Sequence, residues 1–222
     1  MGDADETLLF WLLLLEKMKK AIAFDLDGTL IDVSRRDYQI YSDLVIRLGG
    51  MPLSYSEYWP LRQAKTDIHQ ILADSGIISN DQVSEFLAER RFLMESSEYL
   101  AIDKMFPGTL EVLNSLSQNF EIHILTIRHN RINTENQLHV LKLDKYHYHI
   151  VDGNKEYTML QIPNLCFMVG DTENDILPAN NIGIKSVAVT TGIRNRELLL
   201  EMNPTYILEG LSKISNIVHG RE

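Results

Sequence analysis

Residues 21–30 read Ala-Ile-Ala-Phe-Asp-Leu-Asp-Gly-Thr-Leu, and the fold of the chain turns on them. The unbroken apolar run Ala21 to Phe24, closed by an acid and soon by a glycine, is the pattern of a strand buried on both faces. Side chains two apart at a strand's carboxyl end can both reach the crevice beyond it once the chain bends. Ligands of open α/β sheets bind at that edge. Asp25 and Asp27 are therefore expected to share one site.

Working outward, short apolar runs bounded by Gly, Asp or Pro recur at 122–125, 149–151, 166–169, 186–189 and 206–208. Helical patterns lie between most of them, at 109–116 after Pro107-Gly108, at 196–202 after Asn195, and at 211–218. Strand and helix in alternation predict right-handed crossovers and a Rossmann-like three-layer α/β core around a parallel sheet. From Arg35 to about Met105 the rhythm breaks, and no strand is expected. Ser34 is placed to cap a helix carrying Tyr38, Tyr41, Leu44, Val45 and Leu48 on one face, and Thr66 to cap a second with Ile68, Ile71 and Leu72. A longer amphipathic run extends from Asp81 to about Leu100. The domain reading is an N-terminal extension at 1–17, a core of 18–34 and 106–222, and an all-helical cap at 35–105.

With 222 residues, 45% of them apolar, and 21 Lys plus Arg against 31 Asp plus Glu, the chain is globular and carries a formal charge of -10. That field repels phosphate backbones, so nucleic acid is not expected as a partner. The run Leu8 to Leu15 is far shorter than the roughly 20 residues of a membrane helix, and acids rather than bases precede it, so neither membrane insertion nor export is expected. It is read as an extension that packs as a helix or mediates association. The single Cys166, set in an apolar strand, suits a reducing compartment and reads as an inert core thiol. A cytoplasmic monomer or homodimer is expected.

The stretch Asp25-Leu26-Asp27-Gly28-Thr29 resembles the first motif of the haloacid dehalogenase-like hydrolase superfamily, and three further positions follow in that family's order. Thr126 ends the second strand, Lys155 stands where the family has its lysine, and Gly170-Asp171-Thr172-Glu173-Asn174-Asp175 is similar to its acidic fourth motif. Lys145 competes with Lys155, but it reads as a surface residue at a helix end. The resemblance, to phosphoglycolate phosphatase-like members with a helical cap, implies phosphoryl transfer to a carboxylate. Such transfer needs an ionised nucleophile, a proton for the leaving oxygen and positive charge around the phosphoryl group. It implies Asp25 as nucleophile, Asp27 as a general acid and base that retains its proton, Thr126 as a phosphoryl ligand and Lys155 as the neutralising cation. It also implies Mg²⁺ at Asp25, the Asp27 carbonyl and Asp171, with Asp175 behind them. Gly28 and Thr29 are expected at the substrate, a side chain at Gly28 crowding the nucleophile. Arg62, Gln63 and Lys65 of the cap are candidates for reading the leaving group.

Two features read plainly. His147-x-His149 lacks a Cys or a third His at ligand spacing and is taken as surface and packing. Tyr55, Tyr58 and Trp59 are taken as filling the cap's own core. The expected activity is a Mg²⁺-dependent phosphatase acting on a small phosphorylated metabolite. The alternatives are a phosphosugar mutase of the β-phosphoglucomutase kind and a non-catalytic module that binds phosphorylated ligands. Halide removal is disfavoured, because Asp27 has no task in it.

Overall fold

The computed structural model describes residues 19–220. The proposed N-terminal extension lies outside them. The first strand, β1 (Lys20–Asp25), is followed by the two-residue strand β2 (Ile31–Asp32). Five helices then precede β3 (Lys104–Met105): α1 (Ser34–Arg47), α2 (Tyr55–Gln63), α3 (Ile68–Asp74), α4 (Asn80–Leu93) and α5 (Ser97–Leu100). From there strand and helix alternate: α6 (Thr109–Leu116), β4 (Phe120–Ile127), α7 (Arg131–Val140), β5 (His147–Val151), α8 (Lys155–Leu160), β6 (Leu165–Gly170), α9 (Glu173–Asn181), β7 (Lys185–Val189), α10 (Arg196–Glu201) and β8 (Tyr206–Leu208). A 3-10 turn at Leu211–Lys213 leads into α11 (Ile214–Val218).

Six strands form one parallel sheet in the order β5-β4-β1-β6-β7-β8. From β1 the chain works outward to β4 and β5, then returns to β6 on the other side of β1. The order therefore switches at β1, and the crevice opens at its carboxyl end. Alternation along β1 sorts the two layers of helices. Ile22 and Phe24 pack with Leu113 and Leu116 of α6 and Ile214 of α11. Ala21 and Ala23 face Met159 of α8 and Ala179 of α9, where small side chains let helices approach closely. All four of these β1 residues are fully buried, and burying a side chain the size of Ile22 or Phe24 stabilises by about 1.5–3 kcal/mol.

The helical insert has a core of its own, built on Ile40, Tyr41, Leu44, Tyr58, Ile71 and Phe86. The rings of Tyr41 and Tyr58 stack at 4.1 Å. Both crossings into the insert run through an antiparallel ribbon in which Ile31 pairs with Met105 and Asp32 with Lys104. The ribbon is a departure from the sequence reading, which put no strand there. Two paired residues are too short to leave a period of two. Helix α2 also departs from that reading. Its start is a capping box, with Ser54 and Glu57 bonding each other's backbone. The cap of α3 is Asp67, not Thr66, since the Asp67 carboxylate accepts from the His69 N–H. The run expected from 81 to 100 divides at Met94–Ser96 into α4 and α5. No helix among the described residues is long and apolar enough to cross a membrane.

Candidate active site

Four strand ends converge on the crevice. β1 delivers Asp25, β4 delivers Thr126, the turn after β5 delivers Lys155 at the start of α8, and β6 runs through Gly170 to Asp171 and into α9. Helix α9 opens with a capping box in which Asp175 Oδ2 accepts from Thr172 N–H at 3.1 Å and from Thr172 Oγ1 at 2.8 Å. The other oxygen of Asp175 accepts from Lys155 Nζ at 2.6 Å, and Lys155 also donates to Asp25. One acid thus starts a helix and aims an ammonium at the end of β1. Lys145, the competing lysine, is elsewhere and donates to Asn114 Oδ1.

Asp25, Asp171 and Asp175 offer carboxylate oxygens that all lie within 4.8 Å of one another, and all three residues are buried. Three carboxylates against one ammonium leave the centre short of positive charge. Burial pushes Asp25 up to about 7; Lys155 works against this, while Asp175 and Asp27 add to it. Burial, followed by the charges of Asp25 and Asp175, drives Asp171 well above the usual carboxylate range. An all-oxygen, electron-rich, buried donor set is the chemistry that suits a hard divalent cation, so the residues present fit Mg²⁺.

Gly28 and Thr29, expected at the substrate, serve Asp171 instead. Thr29 is fully buried, and its Oγ1 donates to Asp171 Oδ1 at 3.3 Å, while the Ile193 N–H donates to Oδ2 at 2.6 Å. Gly28 has φ +85°, and a Cβ built on it would lie 2.4 Å from Asp171 Oδ2. The atom it crowds is on Asp171, not on Asp25. Gly192 closes in beside it, and a Cβ there would lie 1.9 Å from the same oxygen.

Asp27 corrects a second expectation. Its carboxylate is held by Arg128 through Nε at 2.9 Å and Nη2 at 2.6 Å, and by Arg36 Nη2 at 2.6 Å. Burial opposes the charge on Asp27, but Arg128 and then Arg36 outweigh it and hold the carboxyl well below its usual range. Asp27 is therefore ionised in this arrangement, whereas the sequence reading gave it a retained proton. Arg128 belongs to the core and Arg36 to α1 of the insert, so one carboxylate ties the two together. The Glu95 carboxylate, also from the insert, accepts from the His129 N–H at 3.0 and 2.9 Å and from that of Asn130.

Asp25, Asp27, Arg36, Thr126, Arg128 and Lys155 line a cavity of about 220 Å³, with Glu95 on its wall. Thr126 is 1% exposed, and its hydroxyl has no hydrogen-bond partner among the described residues. Arg62 and Lys65 are not on this cavity. Arg62 turns inward to Asp37, at 3.3 Å, and Lys65 pairs with Glu173 at 2.9 Å. Gln63 bridges to the core, its amide donating to the Gly192 carbonyl. The sequence reading passed over Arg128, although two places beyond Thr126 at the end of β4 is where a ligand residue is expected. Arg36 left no such signal.

Residues 22–159 match the haloacid dehalogenase-like hydrolase family, and residues 143–214 match a second profile described as HAD-hydrolase-like. The chain belongs to the haloacid dehalogenase-like hydrolase family. Among curated proteins it is similar to a phosphoglycolate phosphatase of Vibrio parahaemolyticus, 28% identical over 90% of this chain and 96% of that one. It is also similar to phosphoglycolate phosphatase 1 of Pseudomonas aeruginosa, 26% identical over 88% of this chain and 78% of the other. In fold it is similar to a haloacid dehalogenase-like family hydrolase of Streptococcus pneumoniae, with a TM-score of 0.72 at 23% identity, covering 90% of this chain and 98% of that one.

Proposed function

We propose that the protein is a Mg²⁺-dependent phosphatase that hydrolyses a small phosphorylated metabolite through an aspartyl-phosphate. The observation that carries this reading is the meeting on one small cavity of Asp25, Lys155 and the Thr126 hydroxyl, which has no partner among the described residues. A phosphoryl group placed there gains a nucleophile, a cation and a hydrogen-bond donor together. Family membership and the phosphoglycolate phosphatases among its relatives support the same chemistry. They make phosphoglycolate the first substrate to test.

An oxygen of Asp25 forms a bond to phosphorus as the ester P–O bond breaks. The departing alkoxide takes a proton from Asp27. Water then gives a proton to Asp27 and its oxygen to phosphorus, the P–O bond to Asp25 breaks, and inorganic phosphate leaves. Asp27 must gain a proton before the first transfer. An incoming phosphate competes with it for Arg128 and Arg36, and a carboxyl freed of those cations returns towards its ordinary range. Lys155, steadied by Asp175, offsets charge on Asp25 and on the phosphoryl oxygens. Bound at the carboxylates of Asp25 and Asp171 and the backbone carbonyl of Asp27, Mg²⁺ would supply positive charge for the phosphoryl group and keep Asp25 ionised.

We read residues 35–105 as a cap on a core of 18–34 and 106–222, hinged at the β2–β3 ribbon, and the site of action as the cytoplasm. The test is hydrolysis of an aryl phosphate and of phosphoglycolate with and without Mg²⁺, comparing the native protein with Asp25→Asn. Hydrolysis by the native protein alone, with beryllium fluoride captured on Asp25, is the expected result. Equal inertness of both proteins across a panel of phosphate esters would overturn the reading.

A further inference from the structure

The parallel pairing of β4 with β5 sets His147 opposite His123 and His149 opposite Leu125. Glu121 and His123 share one face of β4, and His147 and His149 the adjoining face of β5, because side chains alternate along a strand. The donor atoms of Glu121, His123 and His147 all lie within 4.8 Å of one another. The His123 side chain is 8% exposed, and its Nε2 stands 3.9 Å from Glu121 Oε2 without a hydrogen-bond partner among the described residues. Its other nitrogen, Nδ1, is 3.0 Å from His149 Nε2. A buried imidazole is thus fixed at one nitrogen and left open at the other, with a carboxylate 3.9 Å from the open nitrogen and the His147 ring stacked beside it at 4.8 Å between centroids.

We propose that Glu121, His123 and His147 form a binding site for a divalent transition-metal ion of the zinc type, separate from the carboxylate centre at the end of β1. Two imidazole nitrogens and one carboxylate oxygen are the donors of a borderline ion, whereas Mg²⁺ prefers oxygen alone. His149 stands behind the site and sets the orientation of His123, the usual part of an outer hydrogen-bond partner to a ligating histidine. His147 is exposed and Glu121 half-exposed, so the ion has an entry path and its fourth position is open to water. The site lies towards the starting ends of both strands, His123 standing about 10 Å along β4 from Thr126. Since β5 is the edge strand of the sheet, an ion here would clip that edge to its neighbour.

The sequence could not show this, because the third histidine and the acid lie on a different strand and only the register brings them to His147.

The test uses untagged full-length protein stripped by a chelator, then titrated with Zn²⁺ against a chromophoric chelator and, separately, with Co²⁺ followed by visible absorption. The native chain and Asp171→Asn are both expected to take about one Zn²⁺ at this site, to give the absorption of a low-coordinate Co²⁺ centre, and to gain thermal stability with Zn²⁺. His147→Ala and Glu121→Gln, which alter surface-accessible side chains, are expected to bind Zn²⁺ at least tenfold more weakly and to lose the stabilisation. Equal Zn²⁺ affinity in the native and His147→Ala proteins would overturn the proposal, as would loss of the ion in Asp171→Asn. Failure of phosphatase activity would leave these readouts unaffected.

Discussion

Arg128 grips Asp27 with a two-pronged fork, Nε on one oxygen at 2.9 Å and Nη2 on the other at 2.6 Å. The paired geometry makes arginine, rather than lysine, the residue this position requires. Replacing it by glutamine should leave Asp27 with Arg36 alone and lower kcat on the order of 10²-fold, the scale of misplaced acid–base catalysis. With one cation gone, the Asp27 carboxyl rises towards its ordinary range and takes up its proton at higher pH. The basic limb of kcat/KM, which reports loss of the proton that Asp27 must carry into the first transfer, should then shift upward. Steady-state kinetics across pH on an aryl phosphate checks both effects, and an unmoved profile would detach Arg128 from the chemistry.

Thr126→Val should separate stability from activity. The hydroxyl is buried without a partner among the described residues, and such a group costs about 1–3 kcal/mol. Valine keeps the shape, so the melting temperature should hold or rise. Activity should fall on the order of 10²-fold, the value of one lost donor to a phosphoryl oxygen. A melting curve and a rate on the same preparation suffice.

Gly192→Ala should act on the metal. The added methyl would meet Asp171 Oδ2 at 1.9 Å, so the carboxylate must move. The Mg²⁺ concentration for half-maximal activity should rise about 10–100-fold, as when a ligand's supporting contacts are altered. The check is a Mg²⁺ titration after chelation, with circular dichroism to show that the fold is retained.

Asp37 governs the insert. It is 1% exposed and paired with Arg90 at 2.9 Å and Arg62 at 3.3 Å, and it accepts the Tyr58 hydroxyl. Burial opposes its charge, yet Arg90 and then Arg62 bring its pKa down to about 2. A folded value below the unfolded one means that the unfolded chain binds more protons as pH falls. The contribution of Asp37 is therefore complete above about pH 4 and is lost on descending towards pH 2. Asp37→Asn should destabilise the protein by about 3 kcal/mol at neutral pH, since two partly buried guanidiniums lose their buried counter-ion. The gap between variant and native should narrow in acid, as pH-dependent denaturant melts would show.

The parallel sheet was legible because each of its strands is a short apolar run between turn residues, from 21–24 to 206–208. The cluster proposed as the reacting centre was legible because Asp25, Thr126, Lys155, Asp171 and Asp175 stand at strand ends or helix starts, which are positions that sequence can locate. What escaped depends on side chains crossing between elements. Arg36 lies inside an ordinary amphipathic helix, and nothing in its neighbours marks it as reaching Asp27. Arg62 looked free and is consumed by Asp37, a charge the insert buries within itself. Gly28 and Thr29 were expected at the substrate because they adjoin the nucleophile in sequence, yet the turn aims them at an acid 142 positions away from Thr29. The capping box at Ser54 was readable and went unread.

Asp171 is cradled by Thr29, Gly28, Gly192 and the Ile193 amide, all of them core residues, while Arg36 and Glu95 reach the cavity wall from the insert. The cradle of the acid and the insert's share of the cavity wall thus come from different stretches of the chain. On the proposed reading, mutations among the helices between the two ribbon strands could alter which ester is accepted while the cradle stays intact, so long as Arg36 keeps its hold on Asp27 and Gln63 its bond to the Gly192 carbonyl. A lineage built this way can change its diet and keep its teeth.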